Sequence, residues 1–224
     1  MTHSFKHQTT IEKTPGYFRD KDTPERIFRW NPKIKLILIV RDPVIRTIST
    51  YSHLLAHHFL IYNSKIDGNR SMHLEKNIFD SFGNAIIEEQ NKTSKHYGVT
   101  LINDSLYVLY LERWLKYFHL NQILIVNGEE FIRNPFDEMK KVETFLSLRP
   151  FFRQDQFVFD KSKNFYCISV SKKENHCLGV DKGLQYHGVH IDERILEKLQ
   201  NFYRPYSKRF FELIKQEPFW NITK

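Results

Sequence analysis

The stretch from Lys35 to Tyr51, Lys-Leu-Ile-Leu-Ile-Val-Arg-Asp-Pro-Val-Ile-Arg-Thr-Ile-Ser-Thr-Tyr, constrains the fold of this chain more than any other. Leu36 to Val40 form a short apolar run rich in β-branched side chains. Such a run reads as a strand buried on both faces, the usual state of a strand at the centre of a parallel sheet. It stops at Arg41-Asp42-Pro43, where Asp42 can cap a helix and Pro43 can open it. Strand, tight turn and helix form the unit with which α/β proteins hold phosphate, at the carboxyl end of the strand and the positive end of the helix. Arg41 stands at that point with a planar fork of donors. Ser49 follows about two turns into the helix and offers a hydroxyl. A surface ion pair between Arg41 and Asp42 would account for the same residues, so this unit alone leaves both readings open.

The remaining pattern is that of an α/β chain. Lys13 to Trp30, punctuated by proline, is expected as loop with a short helix near Glu25 to Trp30. Asn63 to Ser105 is polar and should form a surface excursion with a short helix near Leu74 to Gln90. Leu106, Tyr110, Trp114, Leu115 and Phe118 recur at helical spacing. Ile123 to Val126 reads as a second short strand. Phe136, Met139, Val142, Phe145 and Leu146 mark a helix opened by Asn134-Pro135. Cys167 and Cys177 lie in a polar loop. Two closing helices are expected, from Asp192 to Tyr203 and from Ser207 to Lys215. Neither a repeat nor a low-complexity tract interrupts the chain, so one domain is expected across residues 1–224.

A length of 224 residues can bury a sizeable core. The formal net charge of +8 points to an anionic partner: nucleic acid, anionic membrane or acidic polysaccharide. Basic and acidic residues are intermingled, and no zinc finger, RNA-recognition signature or arginine-rich arm occurs, so a nucleic-acid role rests on charge alone. The aromatic residues fall mostly on helical stripes, which favours core packing over base stacking. No run has the length of a membrane span, and Met1 to Gln8 is too polar for a cleavable signal. Taken literally, such a chain is cytosolic, and its two cysteines would be free thiols. Asn-x-Ser/Thr sequons at Asn69, Asn91, Asn103 and Asn221 suit the secretory pathway instead. His53 and His57 share a helix face, but no third ligand is evident, and no metal is expected.

The order Arg41-Asp42-Pro43-x-x-Arg46-x-x-Ser49-x-Tyr51 resembles the 3′-phosphate-binding segment of sulfotransferases that use 3′-phosphoadenosine-5′-phosphosulfate (PAPS). The wider pattern is similar to the heparan sulfate glucosamine 3-O-sulfotransferases. Glu12-Lys-Thr-Pro-Gly-Tyr-Phe18, Ser105-Leu-Tyr107 with Trp114-Leu-Lys-Tyr-Phe118, Phe131-Ile-Arg-Asn-Pro-Phe136, Lys141-Val-Glu-Thr-Phe-Leu146, Phe165-Tyr-Cys167 and Cys177-Leu-x-x-x-Lys-Gly183 follow in the family's order. The resemblance runs from about Glu12 to about Trp220.

That resemblance implies a P-loop-like sulfotransferase fold, a parallel central sheet flanked by helices. It implies transfer of a sulfuryl group from PAPS to the 3-hydroxyl of glucosamine in heparan sulfate, in the Golgi lumen, without a metal. It implies that Arg41 and Ser49 bind the 3′-phosphate, that Tyr166, Lys182 and Gly183 lie along the nucleotide, and that Lys13 sits beside the acceptor hydroxyl and the transferred group. His53 stands where relatives place a glutamine against the sugar chain. Cys167 and Cys177 match a family disulfide. Leu184 replaces the arginine of the family's Lys-Gly-Arg loop, and His187-Gly188 replaces its His-Pro. The family's phosphosulfate loop, first strand and catalytic glutamate have no counterpart before Glu12. The chain is therefore expected to be the carboxyl-terminal part of a catalytic domain, with little transfer activity by itself. A truncated relative that holds sulfated glycan without transferring anything is the alternative.

Overall fold

The computed structural model describes residues 8–63, 101–162, 164–171, 174–177, 191 and 193–222. The described elements, numbered in chain order, are α1 (Thr23–Trp30), β1 (Leu36–Val40), α2 (Pro43–Asn63), α3 (Tyr107–Trp114), β2 (Ile123–Asn127), α4 (Gly128–Arg133), α5 (Pro135–Leu146), β3 (Phe157–Asp160), β4 (Phe165–Ser171), β5 (Glu174–His176) and α6 (Glu193–Ile214). The helix expected near Leu74 to Gln90 lies outside the described residues.

β1 and β2 pair in parallel, with Leu36 opposite Ile123 and Val40 opposite Asn127. Side chains alternate along a strand, so Leu36, Leu38 and Val40 share one face with Ile123 and Ile125. That face packs on α3 and α6, where Val108, Leu111, Phe210, Phe211 and Ile214 form the main core. On the opposite face α5 packs against β2 and buries Val126 to 1% exposure. It leaves β1 largely uncovered: Ile37 is 40% and Ile39 56% exposed. β1 is thus buried on one face only, which corrects the expectation drawn from its unbroken apolar run. Hydrophobicity alone cannot tell a strand covered twice from one covered once.

Local chemistry accounts for most helix boundaries. α1 opens with Pro24 and Glu25 in its first turn, and Glu25 pairs with Arg29 one turn on. Asn134 caps α5, where its side-chain oxygen accepts from the Asp137 N–H and Pro135 follows at once. α5 ends in a left-handed Ser147. Chain direction there is set by Glu143, whose carboxylate accepts from the backbone N–H groups of Phe151 and Phe152 at 2.7 and 2.8 Å and from Lys140 at 2.6 Å.

Two expectations fail further along. The closing helices are one, α6, running without interruption past Pro205. Proline removes one helical hydrogen bond, but Leu199, Tyr203, Ser207, Phe210, Phe211 and Ile214 make a continuous buried stripe along α6. Packing on α3 and α2 holds the helix through the break, with Pro205 on the exposed side. The cysteine segment, in turn, is a small antiparallel sheet ordered β3-β4-β5. Its last strand, Glu-Asn-His, carries no strand propensity of its own and exists by pairing with β4.

Leu111 has no solvent exposure. Leu111→Ala should therefore cost about 2–5 kcal/mol in chemical denaturation, as an uncollapsed core cavity does. Glu143 yields a pH test. Lys140 first, then the N–H groups of Phe152 and Phe151, lower its pKa from an ordinary 4.5 to about 2. A depressed carboxylate pKa contributes stability that is present above 4.5 and disappears as pH falls towards 2. Glu143→Gln should flatten the stability curve across that acid window and destabilise the protein at neutral pH.

Candidate functional site

The site is built at the carboxyl ends of β1 and β2. Because Val40 pairs with Asn127, Arg41 and Gly128 leave the sheet side by side. The Asp42 carboxylate accepts from the N–H groups of Val44 and Ile45 at 2.8 and 3.4 Å, so it caps α2 as expected, with Pro43 as first residue. Burial raises the Asp42 pKa, and those two N–H groups work against the rise.

α2 is locked in rotation by Thr47, which is fully buried. Its hydroxyl donates to the Pro43 carbonyl at 2.7 Å and lies 2.7 Å from the Tyr203 hydroxyl and 3.1 Å from that of Ser105. Tyr203 also donates to the Ile102 carbonyl at 2.9 Å. This cluster ties α2 to α6 and to the turn before α3. With Thr47 and Tyr51 turned inward, Arg46, Ser49 and His53 share another face at helical spacing. Arg46 donates to Ser105 Oγ at 3.0 Å, Ser49 is half-buried, and His53 is exposed.

Arg41 is held from two sides. Its Nε donates to Glu129 Oε1 at 2.8 Å, and its backbone N–H points to the Tyr107 hydroxyl at 3.4 Å. Burial pushes the Tyr107 pKa up to about 12, so the phenol stays neutral. The Arg41 side chain keeps 31% exposure, and its terminal nitrogens donate to no described residue. The structure thus presents a guanidinium anchored at Nε, with its outer N–H groups unengaged by any described residue. The ion pair is therefore not the Arg41–Asp42 surface pair left open by sequence. The partner of Arg41 is Glu129.

The other expected residues are distributed as follows. Tyr166 is half-buried on β4, edge-on to Phe159 with ring centres 5.2 Å apart. β4 packs against α4, the helix that carries Glu129. Cys167 and Cys177 are joined in a disulfide. Asp160 is near them, but with both sulfurs bonded to each other the group offers no thiolate to a metal. Lys13 is exposed, just ahead of a 3₁₀ turn at Pro15–Phe18. That turn is fastened to α3 by Trp114 Nε1 donating to the Phe18 carbonyl at 3.0 Å, and to the turn before α3 by an Arg19–Asp104 ion pair at 2.7 Å. Lys182 and Gly183 lie outside the described residues, and so does the side chain of His57.

Sequence reasoning missed Asn127, Gly128 and Glu129. Asn127 Oδ1 accepts from the N–H groups of Glu129 and Glu130 at 3.1 and 3.3 Å and so opens α4. Gly128 is packed so closely that an added Cβ would lie 2.6 Å from Arg41 Cγ and 3.0 Å from the Val40 carbonyl oxygen. The available signal was Val-Asn-Gly-Glu directly after an apolar run, a second strand end with a turn residue beside an acid.

This arrangement, two parallel strands whose carboxyl ends each lead into a helix, is that of an α/β protein, and the comparisons make the class specific. The sulfotransferase domain model matches residues 21–216, and the chain belongs to the sulfotransferase family. It is 34% identical to the mouse protein heparan sulfate glucosamine 3-O-sulfotransferase 5 over 98% of this chain and 59% of the relative. It is 33% identical to mouse heparan sulfate glucosamine 3-O-sulfotransferase 3B1 over 99% of this chain and 52% of the relative. The chain thus spans somewhat over half the length of these curated relatives. The crystal structure of a sulfotransferase from Alicyclobacillus acidocaldarius superposes with a TM-score of 0.55 at 17% identity, over 90% of this chain and 63% of that one, which establishes a shared fold. Among the described residues no helix is long and apolar enough to cross a membrane.

The disulfide closes a loop with a sequence separation of 10. Peptide mapping without reductant should return Cys167 and Cys177 in one linked fragment. Replacing both with serine should lower stability by about 3 kcal/mol, the chain-entropy value for a loop of that size.

Proposed function

We propose that this chain carries the 3′-phosphate-binding part of a PAPS-dependent heparan sulfate glucosamine 3-O-sulfotransferase. The observation that supports the reading best is the state of Arg41: fixed at Nε, with its outer donors free of partners among the described residues, at the carboxyl end of a parallel strand. A planar fork in that place suits a phosphate dianion, and the half-buried Ser49 hydroxyl on α2 adds a neutral donor. The donor set fits the nucleotide.

In this reading Arg41 and Ser49 hold the 3′-phosphate, while Tyr166, Lys182 and Gly183 lie along the rest of the nucleotide. PAPS, when bound, supplies an activated sulfuryl group. The chain's own work is to orient that group and to offset charge. Lys13 carries an ammonium whose part is to stabilise negative charge that develops during transfer. His53, exposed on the Ser49 face of α2, is assigned to the glycan chain. The 3-hydroxyl of glucosamine is the proposed acceptor, following the names of the relatives. The net charge of +8 suits an acidic polysaccharide, and the disulfide suits an oxidising compartment such as the Golgi lumen.

Calorimetric titration with adenosine 3′,5′-bisphosphate tests the nucleotide assignment directly. Arg41→Ala should weaken that ligand by about 10- to 100-fold, the loss of a charge-assisted contact, and leave adenosine 5′-phosphate nearly unaffected. Equal weakening of both would make Arg41 structural. Transfer is tested with the amino-terminal segment of the mouse relative placed ahead of residues 1–224. PAPS and heparan sulfate should then yield glucosamine newly sulfated at O3 in disaccharide analysis. Sulfate at another hydroxyl alone would overturn the acceptor assignment. In the same chimera Lys13→Ala should lower kcat by about 10²-fold with nucleotide affinity unchanged.

A further inference from the structure

The neighbour of Arg41 raises a question that its assignment to phosphate leaves open. A carboxylate beside an anion site repels the anion, yet Glu129 contacts Arg41 directly. A carboxylate that neutralises an arginine frequently engages it with both oxygens, using Nε and one terminal nitrogen. Glu129 does otherwise. Oε1 accepts from Arg41 Nε at 2.8 Å, while Oε2 faces the Asp42 backbone N–H at 3.4 Å. The second oxygen is directed to the main chain, and the outer guanidinium nitrogens are left free of described partners.

The carboxylate is itself fixed. Asn127 holds the Glu129 and Glu130 N–H groups and so sets the start of α4. Gly128 leaves the space that the aliphatic stem of Arg41 fills, since a Cβ there would lie 2.6 Å from Arg41 Cγ. Val40 opposite Asn127 brings the two chain segments to the same level. Each of these contacts reduces the freedom of a long side chain before any ligand arrives. Ordering such a side chain at the moment of binding would otherwise reduce affinity.

We infer that Glu129 is a positioning residue for Arg41, holding the guanidinium by Nε so that its outer N–H groups serve the anion, with Gly128 providing the space for the stem. This rests on the reading of Arg41 as the 3′-phosphate ligand. Glu129 contributes through orientation and works against binding through its charge, and the two effects separate in substitutions. Glu129→Gln keeps an oxygen for Nε and removes the charge. Glu129→Ala removes both.

The test compares the unsubstituted chain with Glu129→Gln, Glu129→Ala and Gly128→Ala in titrations with adenosine 3′,5′-bisphosphate and adenosine 5′-phosphate. Glu129→Gln should keep the bisphosphate affinity to within about threefold, and Glu129→Ala should lower it about tenfold, the scale of one charge-assisted contact. Gly128→Ala should weaken it in the same direction, and the monophosphate should respond to none of them. Adding Glu129→Ala to Arg41→Ala should cause no further loss. Tighter or unchanged binding by Glu129→Ala overturns the inference, because Glu129 would then only mask Arg41. A second readout needs no ligand. In nitrogen-15 spectra the Arg41 Nε–H should exchange slowly in the unsubstituted chain and in Glu129→Gln, and rapidly in Glu129→Ala. A fast-exchanging Nε–H in the unsubstituted chain overturns the inference as well. If the unsubstituted chain binds neither nucleotide, the phosphate reading of Arg41 fails, and the inference that rests on it fails with it, whatever the Nε–H shows about the Glu129 contact.

Discussion

The parallel pairing of β1 with β2, in a register that sets Val40 against Asn127, is the constraint on which the site depends. Parallel strands end on the same side of a sheet, so the turns that follow them are neighbours by construction. Arg41-Asp42 and Gly128-Glu129 are such turns, although 86 positions separate Val40 from its partner. A one-residue slip would turn Val40 away from the core and carry Glu129 out of reach of Arg41. On the β1 side the register is held by burial on one face only. Val40, Ile123 and Ile125 lie in the core with Leu111 and Phe210, while Ile37 and Ile39 remain open to solvent.

A second layer of control comes from polar groups inside the fold. Thr47, Ser105 and Tyr203 bring three hydroxyls together in a space with almost no solvent, each from a different segment. Buried hydroxyls that lose their partners are costly, so this cluster specifies the rotation of α2 more sharply than apolar packing could. That rotation decides which α2 residues face outward, and hence that Ser49 and His53 share a face with Arg46. The segment carrying Lys13 is tied to α3 by Trp114 and to the turn before it by Asp104. The proposed acceptor side and the proposed nucleotide side are therefore both referred to α3 and the turn that precedes it.

Much of this was legible in the residues. The N-cap at Asp42, the strand at Ile123, the helix opened by Asn134-Pro135 and the buried Trp114 of α3 all follow from local chemistry that a folded partner does not alter. Family resemblance added the pairing of Cys167 with Cys177 and pointed to Arg41 and Ser49. The errors have a common origin. The sequence predicts cover on both faces of β1, and it does so because apolar content does not report how far a neighbouring helix extends. α6 was divided because proline lowers helix propensity, whereas the stripe from Leu199 to Ile214 holds both halves on the same core. β3, β4 and β5 form where the polar character around the cysteines predicts a loop, and β5 in particular has no strand character without β4.

The sequence by itself determined β1, β2, the helices α1, α2 and α5, and the identity of the cation at the end of the first strand. Those properties depend on residues within a few positions of one another, through capping, periodicity and backbone preference. Only the tertiary structure decided what Arg41 is next to. Glu129 and Gly128 belong to a distant stretch whose local pattern, turn residues and an acid after an apolar run, says nothing of Arg41. They reach Arg41 because two strands pair in one register and one glycine leaves room for a side chain. Contacts of that kind are set by packing across the sheet, and no local preference encodes them.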